Sequence, residues 1–416
     1  MSLDTSQWRE DLALLVDRLR FQHLNLTHAV SADAIAKAVR EIDGRIPFLT
    51  EPEIIVEFAR LLALIGDGHT VLRLANIASF QRYPVQLYRF SDGVMVRAIS
   101  SDHQHALGGR LLAIDATPAH DAYEAMRPLV SRDNEMGMHD IAPRYLAIPE
   151  VLHARGIAEN VDRATFTIQL PDGTIAPITL EALPIMPDLV DANVGASGPL
   201  PYWLRDTDTN WFEPLDDCRS LYVAFNTVRD AAEERLEAFF DRVFAAIDRE
   251  AISRLILDIR NNDGGNNTLN RPLIHHLVRN PRVQDWGQLY AITGRQTFSA
   301  AMNLAVDLER HTRTIFVGEP TGSSPNHYGE SGSIVLPHSA IQVSVSELLW
   351  QSSEPHDTRP WIPPDLIARL SVERYATNRD PAIEAILDHR PGETTFLDYP
   401  DRLFAQLRRF DRRLAI

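Results

Sequence analysis

Three short stretches, far apart in the chain, carry side chains whose chemistry is complementary. In "GRQTFSAAMNLAVDLE", residues 294–309, Ser299 stands where a polar turn gives way to Ala300, Ala301, Leu304, Ala305 and Leu308, the apolar positions of an amphipathic helix. A hydroxyl there faces unpaired N–H groups and the positive end of the helix dipole, a setting that stabilises developing negative charge. Serine is also a preferred N-cap, and the local sequence alone favours that plainer role. In "LILDIRNNDGGNN", residues 255–267, a buried strand runs into Asn261, Asn262 and Asp263 and then two glycines. Such a turn can aim backbone N–H groups at a ligand, so Gly264 or Gly265 can supply one oxyanion donor and the N–H of Ala300 the second. An ordinary Asn/Asp/Gly turn reads the same way locally. In "GDGHT", His69 follows a helix inside a glycine turn. A seryl nucleophile needs a base that is neutral near pH 7, which suits histidine, although a lone histidine in such a place is more often a surface or capping residue. His327, in "GEPTGSSPNHYGE", is the competing base.

The elements that must position these residues follow from periodicity. Residues 1–78 form an N-terminal helical subdomain, with Trp8, Leu12, Leu15, Val16 and Leu19, then Ile54, Ile55, Phe58, Leu61, Leu62 and Ile65, at helical spacing. Residues 79–185 read as a small β-rich module: "YPVQLYRF", "GVMVRAIS" and "RLLAIDAT" are strands, and "PDG" at Pro171–Gly173 marks a hairpin. A helical insert at 135–157 interrupts it. Residues 186–215, rich in Pro, Gly, Asp and Asn, suit a linker or covering loop. From 216 to 390, strands such as "SLYVAF", "RLILDIR", "QLYAITG" and "RTIFVGE" alternate with helices, which predicts an α/β core with parallel strands and right-handed crossovers. A proline-rich strand in "RPWIPPDLIARL" closes this part, and a helical segment is expected over 391–416.

Composition bounds the function. The 416 residues are 44% hydrophobic and 24% charged, an ordinary globular balance that fits two or three domains. A formal charge of −16, with both signs interspersed, argues against a nucleic-acid partner. Cys218 is the sole cysteine, so neither an intrachain disulfide nor a thiolate zinc site is available, and His, Asp and Glu nowhere fall in a metal-ligand spacing. No metal or organic cofactor is expected. The N-terminus has no uninterrupted apolar region of the signal-peptide kind and no segment is apolar enough to span a bilayer, so a cytoplasmic protein without a membrane partner is expected, periplasmic only if the start is misassigned.

In their order along the chain, "DGHT", "LILDIRNNDGG", "TGRQTFSAAMNLA", "FVGEPTGSS" and "RPWIPPD" resemble the tail-specific, or C-terminal processing, protease family, the S41 serine peptidases, and within it the branch of the tricorn protease core. Interphotoreceptor retinoid-binding protein is related to the same family. The resemblance implies a crotonase/ClpP-like ββα superhelix for the catalytic domain and a PDZ-like character for the β-rich module, with peptides or unfolded proteins as substrates and self-association into a homo-oligomer within the family's range. It places the nucleophile on Ser299, the base on His69, and the oxyanion hole on Ala300 with a glycine of the Gly264–Gly265 turn. One branch uses a lysine base three residues after the threonine of "GEPT", and here that position is Ser324. The tricorn-like branch has a serine before the histidine, here Gly68, and an acid whose position falls on Thr358, so Asp357, Glu354 and Glu330 are candidates to orient His69. The acid that commonly follows the nucleophile in the helix is Met302. These departures keep a second reading open, a non-catalytic peptide- or apolar-ligand-binding protein on the same fold; acyl-CoA chemistry is weaker, for want of a basic patch.

Overall fold

The computed structural model describes residues 3–250, 252–393 and 396–411; residues 394, 395 and 412–416 of the expected C-terminal segment lie outside the described residues. The chain forms two compact units, one of Met1–Ala196, Tyr328–Trp350 and Ser371–Thr377, the other of Ser197–His327, Gln351–Leu370 and Asn378–Ile416.

In the first unit, helices Thr5–Gln22, Ala32–Arg45 and Glu51–Ala63 start where the sequence supplies caps. Asp4 forms a capping box with Gln7, Ser31 accepts from the Ala34 N–H, and Thr50 pairs with Glu53. Their apolar faces bury Leu15, Ile42, Phe58 and Leu61 completely. Strands Val85–Phe90, Gly93–Ile99, Arg110–Ile114, Arg163–Gln169 and Ile175–Glu181 pair antiparallel in that order. The predicted hairpin closes through the Leu170 N–H to the Thr174 carbonyl at 2.8 Å, with Gly173 at φ 89°. The insert is helical over Glu135–Tyr145 and Pro149–Ala154. Helices, sheet and the segment Ile334–Val345 contribute to one continuous apolar cluster, so residues 1–78 and 79–185 share a core.

The second unit is built on a six-stranded sheet. Strands Ser220–Ala224, Arg254–Asp258, Leu289–Thr293, Ile315–Gly318 and Leu366–Ile367 run parallel, and Trp211–Pro214 adds an antiparallel edge. Alternation sorts each strand between two cores: Leu221, Val223, Leu255, Leu257 and Ala291 join one cluster, Tyr222, Ala224, Ile256, Tyr290 and Ile292 the other. Helices Leu236–Arg249, Arg271–Arg279 and Ala300–His311 cover the first face, and Pro381–Asp388 covers the second. Burial on both faces explains why these strands read as continuous apolar runs.

Three features depart from expectation. The stretch 186–215 contributes the edge strand Trp211–Pro214 and the short helix Tyr202–Arg205. The proline-rich strand shrinks to Leu366–Ile367, because Pro363 and Pro364 cannot donate to a ladder. Two ten-residue strands, Asn326–Val335 and Gln342–Gln351, form a separate pair; the first is rich in Gly and Ser and half exposed, so it lacks an alternating signature.

Candidate active site

In the second unit the candidate residues gather at the carboxyl ends of the parallel strands, where open α/β sheets place their ligands. Strand Arg254–Asp258 leads into the glycine turn, and strand Leu289–Thr293 into the loop that ends at Ser299. Two contacts lock these loops together. The Thr297 hydroxyl accepts from the Gly294 N–H at 3.0 Å and donates to the Ile259 carbonyl at 2.8 Å. The Phe298 N–H donates to the Asn262 carbonyl at 3.1 Å. Asn262 itself is fully buried, its Nδ2 donating to the Phe225 carbonyl at 2.7 Å and its Oδ1 accepting from the Gly264 N–H at 3.0 Å.

Ser299 precedes helix Ala300–His311 with φ 53° and ψ −122° and makes no capping hydrogen bond through its side chain. An N-cap has extended backbone and an oxygen turned back to the helix, so the capping alternative does not describe this serine. Positive φ at a side-chain-bearing residue costs of order 1–3 kcal/mol and is held only by surroundings that over-determine it. Gly264 supplies part of that constraint. Its φ is 110°, and a Cβ there would lie 2.7 Å from Ser299 Cβ and 2.9 Å from the Ala300 nitrogen, so only glycine brings the two backbones together. Gly265, at φ 137°, is equally restricted, since a Cβ would run into the Val228 carbonyl.

The donors divide unequally. Because its N–H is committed to Asn262, Gly264 serves by shape. Gly265 forms a parallel bridge in which Val228 bonds to Gly264 and Asn266, so its own N–H turns away from Val228. Among the described residues, the N–H groups of Gly265 and Ala300 have no hydrogen-bond acceptor.

His69 belongs to the first unit, in the loop after helix Glu51–Ala63. Burial pushes its imidazole down to about 4, opposed by the Asp67 carboxylate and reinforced by Arg73. The ring is therefore neutral at pH 7 and has a lone pair to take a proton. His327 is buried in the second unit, its Nδ1 3.0 Å from the Ser324 carbonyl.

The acid candidates are placed differently from one another. Asp357 is buried and bound by Arg359, whose Nε lies 2.9 Å from Oδ1 and whose Nη2 lies 2.7 Å from Oδ2, while the Ser353 hydroxyl donates to Oδ2 at 2.5 Å. Arg359 also forks onto Glu309 at 2.9 and 2.8 Å. This carboxylate belongs to a buried ion network. Glu354 lies 3.5 Å from Arg310 near the surface, and Glu330 is exposed at φ 52°. Asp67, which is not among the sequence candidates, lies two positions before His69 and is 1% exposed. Its signal was the acid in "GDGHT". Met302 is buried in the apolar core beneath the serine helix.

Among the described residues no group of three or more His, Cys, Asp or Glu side chains is placed to hold a metal, and no helix is long and apolar enough to cross a membrane. No protein-family model matches the sequence, and no curated protein matches it. Solved structures do. Mature CPAF is 14% identical, covering 92% of this chain and 96% of its own, at a TM-score of 0.66. Mature CPAF complexed with lactacystin is 14% identical over 92% and 97%, at 0.64. The photosystem II D1 C-terminal processing protease is 15% identical over 92% and 96%, but at a TM-score of 0.42 that likeness carries no weight. Over nine-tenths of its length the chain has the fold of mature CPAF.

Proposed function

We propose that the chain is a serine-type peptidase of the S41 family, acting on peptides or unfolded proteins. The observation that carries the reading is Ser299: an uncapped serine in a strained conformation before a helix, pressed against a glycine that no other residue can replace. The likeness in fold to CPAF supports it. In this reading the parallel sheet and its helices are a crotonase-like ββα core, and the antiparallel sheet of the first unit is a PDZ-like module.

The chemistry follows from the groups available. His69 takes the proton of the Ser299 hydroxyl as Oγ attacks the peptide carbonyl, then returns it to the leaving amine. The N–H groups of Ala300 and Gly265 bind the oxyanion, and the helix dipole adds to their field. Water repeats the sequence on the acyl-enzyme. Turnover of a quenched, unfolded protein substrate tests the reading: Ser299→Ala is expected to lose at least ~10³-fold in kcat/KM with its far-UV circular dichroism unchanged. Equal turnover by wild type and Ser299→Ala would refute the role of Ser299, and no turnover by folded wild type would leave a binding protein on the same fold.

A further inference from the structure

The Asp67 carboxylate lies at the centre of a buried polar cluster in the first unit. Its Oδ2 accepts from His23 Nε2 at 2.9 Å. Its Oδ1 accepts from the Ser346 hydroxyl at 2.8 Å, the His69 N–H at 2.8 Å and the Thr70 N–H at 2.6 Å. The tautomer of His23 follows from its other nitrogen: Nδ1 accepts from the Asn25 N–H at 3.1 Å, so in the neutral ring Nε2 carries the hydrogen. The donors come from three places, the end of helix Thr5–Gln22, strand Gln342–Gln351 and the loop itself. Burial works to raise this carboxyl, but the hydrogen bonds from His23, Thr70 and Ser346 outweigh it and hold it at about 2.

The loop is fastened residue by residue around that centre. The His28 ring lies 3.4 Å from the Gly66 carbonyl and stacks on His23 with an interplanar angle of 4°. The Gly68 N–H donates to the Asp133 carboxylate at 2.7 Å, and the Ser331 hydroxyl donates to the His69 carbonyl at 3.3 Å. The charged groups that act on the His69 ring are Asp67 and Arg73.

We infer that Asp67 is the positioning residue for the base: its carboxylate holds the loop that presents His69. The catalytic meaning of this inference rests on the peptidase reading, but the His69 ring can be followed without turnover. Asparagine at 67 would set an amide N–H against at least one of the converging donors, whichever way it turned, and would remove the charge that favours His69 protonation.

The test is an NMR titration of the His69 ring in the full chain, beside the pH profile of peptide hydrolysis, for wild type, Asp67→Asn, Asp67→Glu and Asp357→Asn. In Asp67→Asn the ring is expected to titrate at lower pH, the acid limb of kcat/KM to move with it, and kcat to fall about 10²-fold with KM within about threefold, the pattern of a misplaced base. Asp67→Glu, which keeps the charge, restores the position of the acid limb. Asp357→Asn leaves the titration unchanged. Should Asp67→Asn fail to fold, Ser346→Ala removes one donor without altering charge and is expected to lower kcat about tenfold with the titration in place. The inference is overturned if Asp67→Asn and Ser346→Ala behave as wild type, or if Asp357→Asn moves the His69 titration and Asp67→Asn does not. Absence of turnover in wild type would count against the peptidase reading alone, since the ring titration still decides the role of Asp67.

Discussion

Ser299 and Gly264 act as one device. The serine holds a backbone conformation that costs free energy, and the glycine is the surface against which that conformation is set. Gly264→Ala therefore brings two penalties, a side chain at φ 110° and a Cβ against Ser299. It is expected to lower stability by about 2 kcal/mol in urea unfolding and to cut kcat/KM by at least ~10²-fold, the scale of a disrupted oxyanion hole. In the peptidase reading the base sets the pH response: His69 would act only when neutral, and its pKa of about 4 predicts that kcat/KM is flat through neutrality and falls as pH drops through that value. An acid limb near the ordinary histidine value of 6.5 would contradict this. The depressed pKa keeps the base neutral at the cost of some basicity.

At the scale of elements, two loops from adjacent parallel strands converge because Thr297 and Asn262 tie them. Thr297→Val keeps the shape of the side chain and removes both hydrogen bonds of its hydroxyl, to Gly294 and Ile259. It is expected to cost about 1–3 kcal/mol in thermal unfolding and to reduce kcat more than it raises KM. The strands and helices that carry these loops were legible in the sequence, because strands buried on both faces appear as apolar runs and the helices between them as amphipathic stripes. Ser299 was legible as a choice between cap and nucleophile, and its φ and uncapped side chain, seen only in the structure, speak against the cap. The strand Asn326–Val335 was not legible, being rich in Gly and Ser and half exposed, and Gln342–Gln351 shows its alternation only at Val343 and Val345. Asp67 was visible in its motif, but its donors lie 44 residues before it at His23 and 279 after it at Ser346, separations that no local pattern encodes.

At the scale of the molecule, each unit is held by its own buried charges. In the second, Arg359 bridges Asp357 and Glu309 with no exposed side-chain surface, and Arg402, from helix Tyr399–Asp411, reaches Glu309 at 3.4 Å and Asp365 at 2.6 Å. Arg359→Met leaves two buried carboxylates short of a cation and is expected to cost about 3–5 kcal/mol in urea unfolding, with the C-terminal helix exchanging amide hydrogens faster. In the first unit the sign of the pH effect is fixed by His69 and Asp67. His69 is depressed from 6.5 to about 4, so the unfolded chain binds its proton first and stability falls as pH drops from 6.5 toward 4. Asp67 is depressed from 3.8 to about 2, so its contribution is complete above 3.8 and is lost as pH falls through 2. Thermal unfolding of His69→Ala beside wild type is expected to show a shallower decline between pH 6.5 and 4.

The central claim is that Ser299 is a nucleophile activated by His69, and covalent labelling reads it directly, with no peptide substrate required. A fluorophosphonate probe, followed by peptide mass mapping, is expected to modify the peptide that contains Ser299 in wild type, to label His69→Ala far more slowly, and to leave Ser299→Ala unmodified. Equal labelling of wild type and Ser299→Ala, or no labelling of folded wild type, would contradict the account.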